Sequence, residues 1–438
     1  MMSHRQRNSL TRISFAIPIH SIAARLAVAV MLTLIGALLA YAAVSQFIVS
    51  AITDERVTVD RATLATAVAI FPESARLQAR LAASANAERD FTAAQMYAAR
   101  ALELSPRDYR LRLLMAAIKE SLGDLSAAEA QLREALRLAP HKTEPHWQLA
   151  NLLLRAGRLS AALAEFRATT TMNPRLLPVT LNIIWRATGQ NLEAVDAIPA
   201  GDAKSRLALA AFLLKQSHVQ EAARIFRNVD YSARRALAES RDFIGDLAKS
   251  DAALSRELWI DLVSGNSDER SLIWNGSFET EITKEFSQYD WLIDRSEYAR
   301  IRVMPGVAHN GGRALRIDFL GRDTTRLTSE IRQYVVLRPG ARYRLTAYAK
   351  AENLVTGEAP RIAVTTKAAP DWIAQSEPLV SSLTGWQPLA VEFTAPQLAT
   401  GAQPAFEIAV RRKPKFSYDE PTSGTVWFDD FALVEVKP

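Results

Sequence analysis

Prolines stand at positions 72, 106, 140 and 174, an interval of 34 residues each time. Small residues hold the same register: Ala94, Ala128 and Ala162, then Ala101 and Ala135, with Gly123 and Gly157 between them. A fixed period of this length means one supersecondary unit stacked on copies of itself, because a single unit cannot bury its apolar face alone. Each unit reads as two amphipathic helices. Gly123 and Gly157 break the unit in the middle, where a left-handed backbone is easiest for glycine. The alanines mark close helix crossings, and each proline closes a unit because it cannot continue a helix. Beyond Pro174 the pattern degrades, although Ala210, Ala222 and Phe226 suggest a further unit and Ser232–Leu262 a last irregular pair or cap. The spacing predicts roughly four to six helical pairs over residues 57–265, an α-solenoid.

At its small-residue, Gly, aromatic and Pro positions this region resembles the tetratricopeptide repeat. Phe166 falls on the family's aromatic position in the second helix, and Leu132 replaces it one unit earlier. The resemblance implies a superhelix whose concave face holds a protein partner as a peptide or helix. It places Leu113, Glu120, Trp147 and Asn151 toward that groove. Trp147 is equally readable as inter-repeat packing, since aromatic anchors and packing residues look alike in sequence. The clustered Lys, Asn and Arg pattern that binds a C-terminal carboxylate is not recognisable.

Upstream, no residue from Leu26 to Thr53 is charged, and Leu26–Val49 is almost wholly apolar. At 1.5 Å per residue that helix would reach roughly 36 Å, enough to cross a hydrocarbon core of about 30 Å. Residues 1–25 carry Arg5, Arg7, Arg12 and Arg25 with no acid, while Asp54 and Glu55 follow the span. The asymmetry favours a cytoplasmic basic tail over 1–25, a single-pass transmembrane helix over 26–52 in the inner membrane, and a periplasmic or otherwise extracytoplasmic body. A cleaved signal peptide is the competing reading, with Ala40-Tyr41-Ala42 as its cleavage site. Both readings export the body.

The net charge of +6 invites a nucleic-acid reading until it is located. Four of the 53 basic residues lie in the first 25 positions, which leaves 49 against 47 acids in the rest. A folded body so nearly neutral lacks the excess needed to neutralise many phosphates, so no nucleic-acid partner is expected. There is no cysteine, which excludes disulfides, thiolate metal sites and a cysteine nucleophile.

After Gly265-Asn266-Ser267 the periodicity turns from helical to alternating. Short strand-like runs separated by Asn310-Gly311-Gly312, Pro339-Gly340 and Thr384-Gly385 predict an antiparallel β-sandwich over 268–438. The opening WNGSFE (274–279), GGRALRIDF (311–319), RPGARYRLTAYAKAENL (338–354), GWQPLAVEFTAP (385–396) and the closing GTVWFDDFALVEV (424–436) resemble the jelly-roll carbohydrate-binding modules. That resemblance implies a structural calcium ion between Glu279 and Asp429 or Asp430; with ordinary strand-end hydrogen bonds as the other use of these carboxylates. It also implies sugar stacking on exposed rings, for which Tyr289, Trp291, Trp372, Phe416 and Tyr418 are the loop candidates. Trp386 and Trp427 sit in strand patterns and read as core.

No H-E-x-x-H, G-x-S-x-G or P-loop motif occurs, and His141 and His146 lie at neither i, i+3 nor i, i+4 spacing. A glycosidase needs two carboxylates at a set separation, and spacing singles out no pair among Asp318, Asp323 and Glu330. The expectation is therefore a multidomain α + β chain that is not an enzyme. It would be a membrane-anchored scaffold that takes a protein partner on its repeats and a glycan on its sandwich, as in cell-surface polysaccharide assembly or export. A purely protein-binding scaffold for secretion or envelope assembly, or a glycan-active enzyme, are the alternatives.

Overall fold

In the computed structural model the described residues are 22–53, 57–264, 271–282, 284–322, 324–366, 369–381, 384–397, 406–415 and 421–436. They divide into two compact units between Met172 and Asn173.

The first unit opens with α1 (Ile22–Thr53), a 32-residue helix whose apolar side chains are exposed. It is long and apolar enough to cross a membrane. α2 (Arg61–Ile70) follows, capped by Asp60, which accepts the N–H of Thr63. Three hairpins then repeat the 34-residue register: α3 (Ala75–Ala87) with α4 (Phe91–Leu104), α5 (Tyr109–Ser121) with α6 (Leu125–Leu138), and α7 (Thr143–Arg155) with α8 (Leu159–Met172). Ala94, Ala128 and Ala162 are all 0% exposed, as close helix crossings require. Asp90 and Asp124 cap α4 and α6 by accepting the N–H groups of Ala93 and Ala127.

The break inside each hairpin lies in the left-handed region, at φ 80° for Gly123 and 75° for Gly157. One period earlier the same position is Arg89, at φ 64°. A side chain there crowds its own backbone by about 1 kcal/mol relative to glycine. Arg89→Gly is therefore expected to stabilise the helical array by about 1 kcal/mol, read as a higher urea midpoint of the 222 nm signal. An unchanged or lower midpoint would refute this account.

The second unit begins with a 3-10 turn at Pro174–Leu176 and continues through α9 (Leu177–Ala187), α10 (Leu192–Asp196), α11 (Ala203–Lys215), α12 (Val219–Arg227), α13 (Tyr231–Ala236), α14 (Ala238–Ser250) and α15 (Ala252–Ser264). The fading register has a physical counterpart, since α10 is only five residues long. The expected later units are present as α11 with α12 and α14 with α15. Ala210, Ala222 and Phe226 are buried, and Phe226 stacks on Phe243 at 4.7 Å.

Ten strands follow: β1 (Leu292–Ile293), β2 (Ala299–Pro305), β3 (Arg313–Arg322), β4 (Ile331–Val335), β5 (Arg342–Val355), β6 (Arg361–Thr366), β7 (Ala369–Gln375), β8 (Gln387–Thr394), β9 (Phe406–Arg411) and β10 (Thr422–Glu435). They form two five-stranded antiparallel sheets, ordered β1-β4-β9-β6-β7 and β2-β3-β10-β5-β8. Alternate residues of each sheet meet in one core, including Leu315, Ile317, Leu345, Val364, Ile408 and Phe428. Gln333 is a buried polar exception; its amide accepts from the Trp274 N–H at 3.0 Å and donates to the Trp274 carbonyl at 2.8 Å.

The last helices are joined to the sandwich within this unit. Trp259 of α15 is fully buried, and its Nε1–H donates to the Phe286 carbonyl at 2.8 Å. Its ring meets Trp274 and Tyr289 edge-on at 5.4 and 5.8 Å. The Tyr289 hydroxyl donates to the Ala252 carbonyl at 3.2 Å, and Gln288 Nε2 donates to the Arg241 carbonyl at 3.2 Å.

Candidate functional site

On β9, Phe406, Ile408 and Val410 point into the sandwich core, so strict alternation turns Glu407, Ala409 and Arg411 to the opposite face. Strand register then assembles that face. Tyr334, Glu407, Thr365 and Trp372 form one row across β4, β9, β6 and β7; Arg332, Ala409 and Ala363 form the next; Arg411 lies opposite Arg361. Tyr334 and Trp372 are three strand spacings apart, roughly 14 Å, and Glu407 and Arg411 are roughly 13 Å apart along β9. The face so laid out, the trough, has the buried Ala363 and Ala409 (0% and 1% exposed) between a carboxylate toward one end and guanidinium groups toward the other, with Tyr334 and Trp372 on its outer strands.

Trp372 is half-buried, and the guanidinium carbons of Arg361 and Arg411 lie 5.8 and 5.6 Å from its ring centre. Both cations gain from the negative face of the indole. Arg361 also pairs with Glu358, and Arg332 is drawn aside to Asp294 at 2.5 Å. Arg411 has no such partner. It is 6% exposed, its Nε is sealed from solvent without a hydrogen bond, and among the described residues no carboxylate pairs with it. Burial lowers the affinity of its guanidinium for the proton, opposed by the more distant charges of Glu407 and Glu330. Glu407, 8% exposed, likewise has no hydrogen bond or ion pair among the described residues. Buried polar groups are nearly always satisfied within a fold, so the unpartnered Arg411 Nε, on the same face as Glu407, marks this face out. An indole to stack on an apolar ring face, an acceptor at one end and a donor at the other are what a pyranose requires.

The paired carboxylates of β10 engage backbone groups of a neighbouring loop. Asp429 is fully buried; Oδ2 accepts the N–H groups of His309 at 2.7 Å and Asn310 at 3.3 Å, and Oδ1 accepts that of Asp430 at 2.8 Å. Glu279 Oε1 accepts from Gly312 at 2.8 Å and Arg313 at 3.0 Å, while Asp430 Oδ2 lies 2.6 Å from His309 Nδ1. Together they clamp the 309–313 loop. Burial pushes the Asp429 carboxyl up, against the pull of its N–H donors. Among the described residues no group of three or more His, Cys, Asp or Glu side chains could hold a metal ion. A calcium ion between Glu279, Asp429 and Asp430 would need backbone carbonyls and water for its remaining ligands.

The structure corrects two of the expected sugar-stacking rings. Tyr289 and Trp291 are both only 1% exposed. Tyr289 is held by α15, whereas Trp291 packs against Phe431 and Phe278 at 4.8 and 5.1 Å and donates its Nε1–H to the Asn275 carbonyl at 3.0 Å. Neither ring can meet a ligand. Trp372 lies on the trough; Phe416 and Tyr418 fall outside the described residues. Trp427 is buried, although on the outer side of its sheet beneath Arg316, 5.1 Å from the ring centre, and Trp386 is half-buried beside His309.

Among the groove residues, Leu113 is buried and cannot project toward a partner. Glu120 pairs with Arg155 of the next hairpin. Trp147 packs edge-on against the buried Phe166 at 5.5 Å, and Asn151 Nδ2 donates to the Trp147 carbonyl at 2.8 Å. Sequence reasoning missed Tyr334, Arg361, Thr365, Glu407 and Arg411. The signal was present in FEIAVR, where an acid and an arginine take the positions that alternate with the apolar ones.

A family model of the tetratricopeptide repeat matches residues 121–175. No curated protein matches the sequence. Among solved structures the chain is similar to a family 16 carbohydrate-binding module, at 23% identity over 37% of this chain and 99% of that one, with a TM-score of 0.26. It is also similar to the MamA protein, at 14% identity over 35% and 83% of the two chains, TM-score 0.29. A third is a cyclase from Fischerella sp. TAU, at 14% identity over 37% and 95%, TM-score 0.27. The chain joins an array of helical hairpins, in which residues 121–175 match the tetratricopeptide repeat, to an antiparallel β-sandwich of two five-stranded sheets.

Proposed function

We propose that the protein is a membrane-tethered adaptor whose repeats take a protein partner and whose sandwich takes a glycan in the trough over β4, β9, β6 and β7. The observation that carries the glycan half is the placing of a half-buried Trp372 on one face with Glu407 and with Arg411, whose buried Nε has no partner. A stacking ring with a donor and an acceptor suits hydroxyl recognition, and nothing in this role calls for a reaction. α1 supports the tether, with the arginines of residues 1–25 favouring an N-terminus in the cytoplasm and the remaining chain outside it. Work at the cell surface, in polysaccharide assembly or export, is the setting in which a tether, a protein-binding array and a glycan module serve together.

Trp372→Ala tests the reading. In affinity electrophoresis through gels containing acidic and neutral polysaccharides, the parent chain is expected to be retarded. Loss of one stacking ring should weaken retention roughly tenfold, about 1.4 kcal/mol. Free migration of the parent chain through every gel would remove the glycan and leave a protein-binding scaffold.

A further inference from the structure

Resting on the reading of this trough as a glycan site, we infer that its ligand is an acidic glycan, with the carboxylate of a uronate-type sugar paired to the Arg411 guanidinium. The neighbouring cations are already matched: Arg361 by Glu358 and Arg332 by Asp294. Arg411 alone on this face is almost wholly removed from water without an anion within pairing distance among the described residues. A buried charge in that state is costly, and a hydroxyl from a neutral sugar supplies a dipole where a full charge is missing. A carboxylate supplies both the charge and the planar pair of acceptors that a guanidinium fits.

The rest of the trough agrees with this polarity. Nε is sealed, so the incoming anion meets the terminal Nη groups. Trp372 stands 5.6 Å from the same guanidinium, which brings the sugar ring and its carboxylate to adjacent surfaces. Glu407 would repel an anion at close range, but its backbone position lies roughly 13 Å along β9, where it faces a hydroxyl of a neighbouring sugar instead. Between them along the face lie only the small side chains of Ala409 and Ala363.

The test uses the whole chain in detergent with oligosaccharides of galacturonate, glucuronate, mannuronate and guluronate, each beside its carboxyl-reduced neutral counterpart, in isothermal titration. At least one acidic series is expected to bind tenfold or more tighter than its reduced form, and the difference should shrink as salt is raised. Arg411→Met should abolish that difference while leaving the melting temperature equal or higher, because it removes an unpaired buried cation. Arg361→Met, whose arginine already has Glu358, should reduce the difference by less. If the reduced sugars bind as well as the acidic ones, or if Arg411→Met leaves the preference intact, the inference fails while the glycan reading stands. If no member of either series binds, both fail.

Discussion

Asp429→Ala is expected to destabilise the sandwich by about 3 kcal/mol or more, because three backbone N–H donors lose their acceptor at once. Those of His309, Asn310 and Asp430 all converge on this one fully buried carboxylate. An unsatisfied buried N–H costs roughly 1–3 kcal/mol, and water can reach part of this loop, which favours the lower figure for each. Asp429→Asn keeps the shape but presents an NH2 group to at least one donor, so it should fall between the two. The pH dependence separates this account from simple loss of volume. Burial raises the Asp429 carboxyl above its usual range, so the fold binds the proton more tightly than the unfolded chain does. The stability this contributes is complete below the unfolded value of 3.8 and is lost as pH rises through the folded one. The gap between the parent and Asp429→Asn should therefore be wider at pH 4 than at pH 7, measured as urea midpoints. A gap that narrows toward acid would reverse the sign and overturn the assignment.

The same carboxylates show where a sequence stops being readable. A calcium ion and a cluster of backbone N–H groups both ask for oxygen lone pairs at a strand end, so Glu279, Asp429 and Asp430 fit either use equally well in sequence, and the N–H bonds themselves show only once the 309–313 loop is placed. The repeats were legible for the opposite reason. Proline, glycine and alanine each have few structural uses, and their recurrence every 34 residues admits essentially one arrangement. Even there, Arg89 hid a left-handed position, since residue type no longer announced the backbone angle. Tyr289 and Trp291 misled because they lie in a run without alternation, which resembles a surface loop. Their burial depends on Trp259 and Phe431, more than 25 and 100 residues away in sequence. The trough was partly legible. Alternation in FEIAVR and RIAVTT puts Glu407, Arg411 and Arg361 on the outer face, but only the register of β9 against β6 sets the arginines opposite each other.

Trp259→Ala is expected to cost about 4 kcal/mol and to split the unfolding of the second unit into two steps. In the intact chain the indole fills the space between α15 and the first segment of the sandwich, and its Nε1–H satisfies the Phe286 carbonyl. Truncation leaves a cavity and an open acceptor at a place where helices and sandwich share a core. With the joint intact, the 222 nm helical signal and the near-ultraviolet signal of the sandwich tryptophans should lose amplitude together; in the variant the sandwich should outlast α14 and α15, or the reverse. Coincident curves with a midpoint near that of the parent would show that the joint is incidental. Tyr289 gives a second, chemical probe of the same joint. Burial pushes its hydroxyl up to about 12 from 10.0, so the neutral phenol is favoured in the fold. That stabilisation is complete below pH 10 and is lost as pH rises through 12, which should loosen the joint in alkali. Tyr289→Phe forfeits the hydrogen bond to Ala252, about 1 kcal/mol, but should remove this alkaline loss. On the proposed reading, the joint would carry a glycan held by the sandwich and helices α14 and α15 on one body.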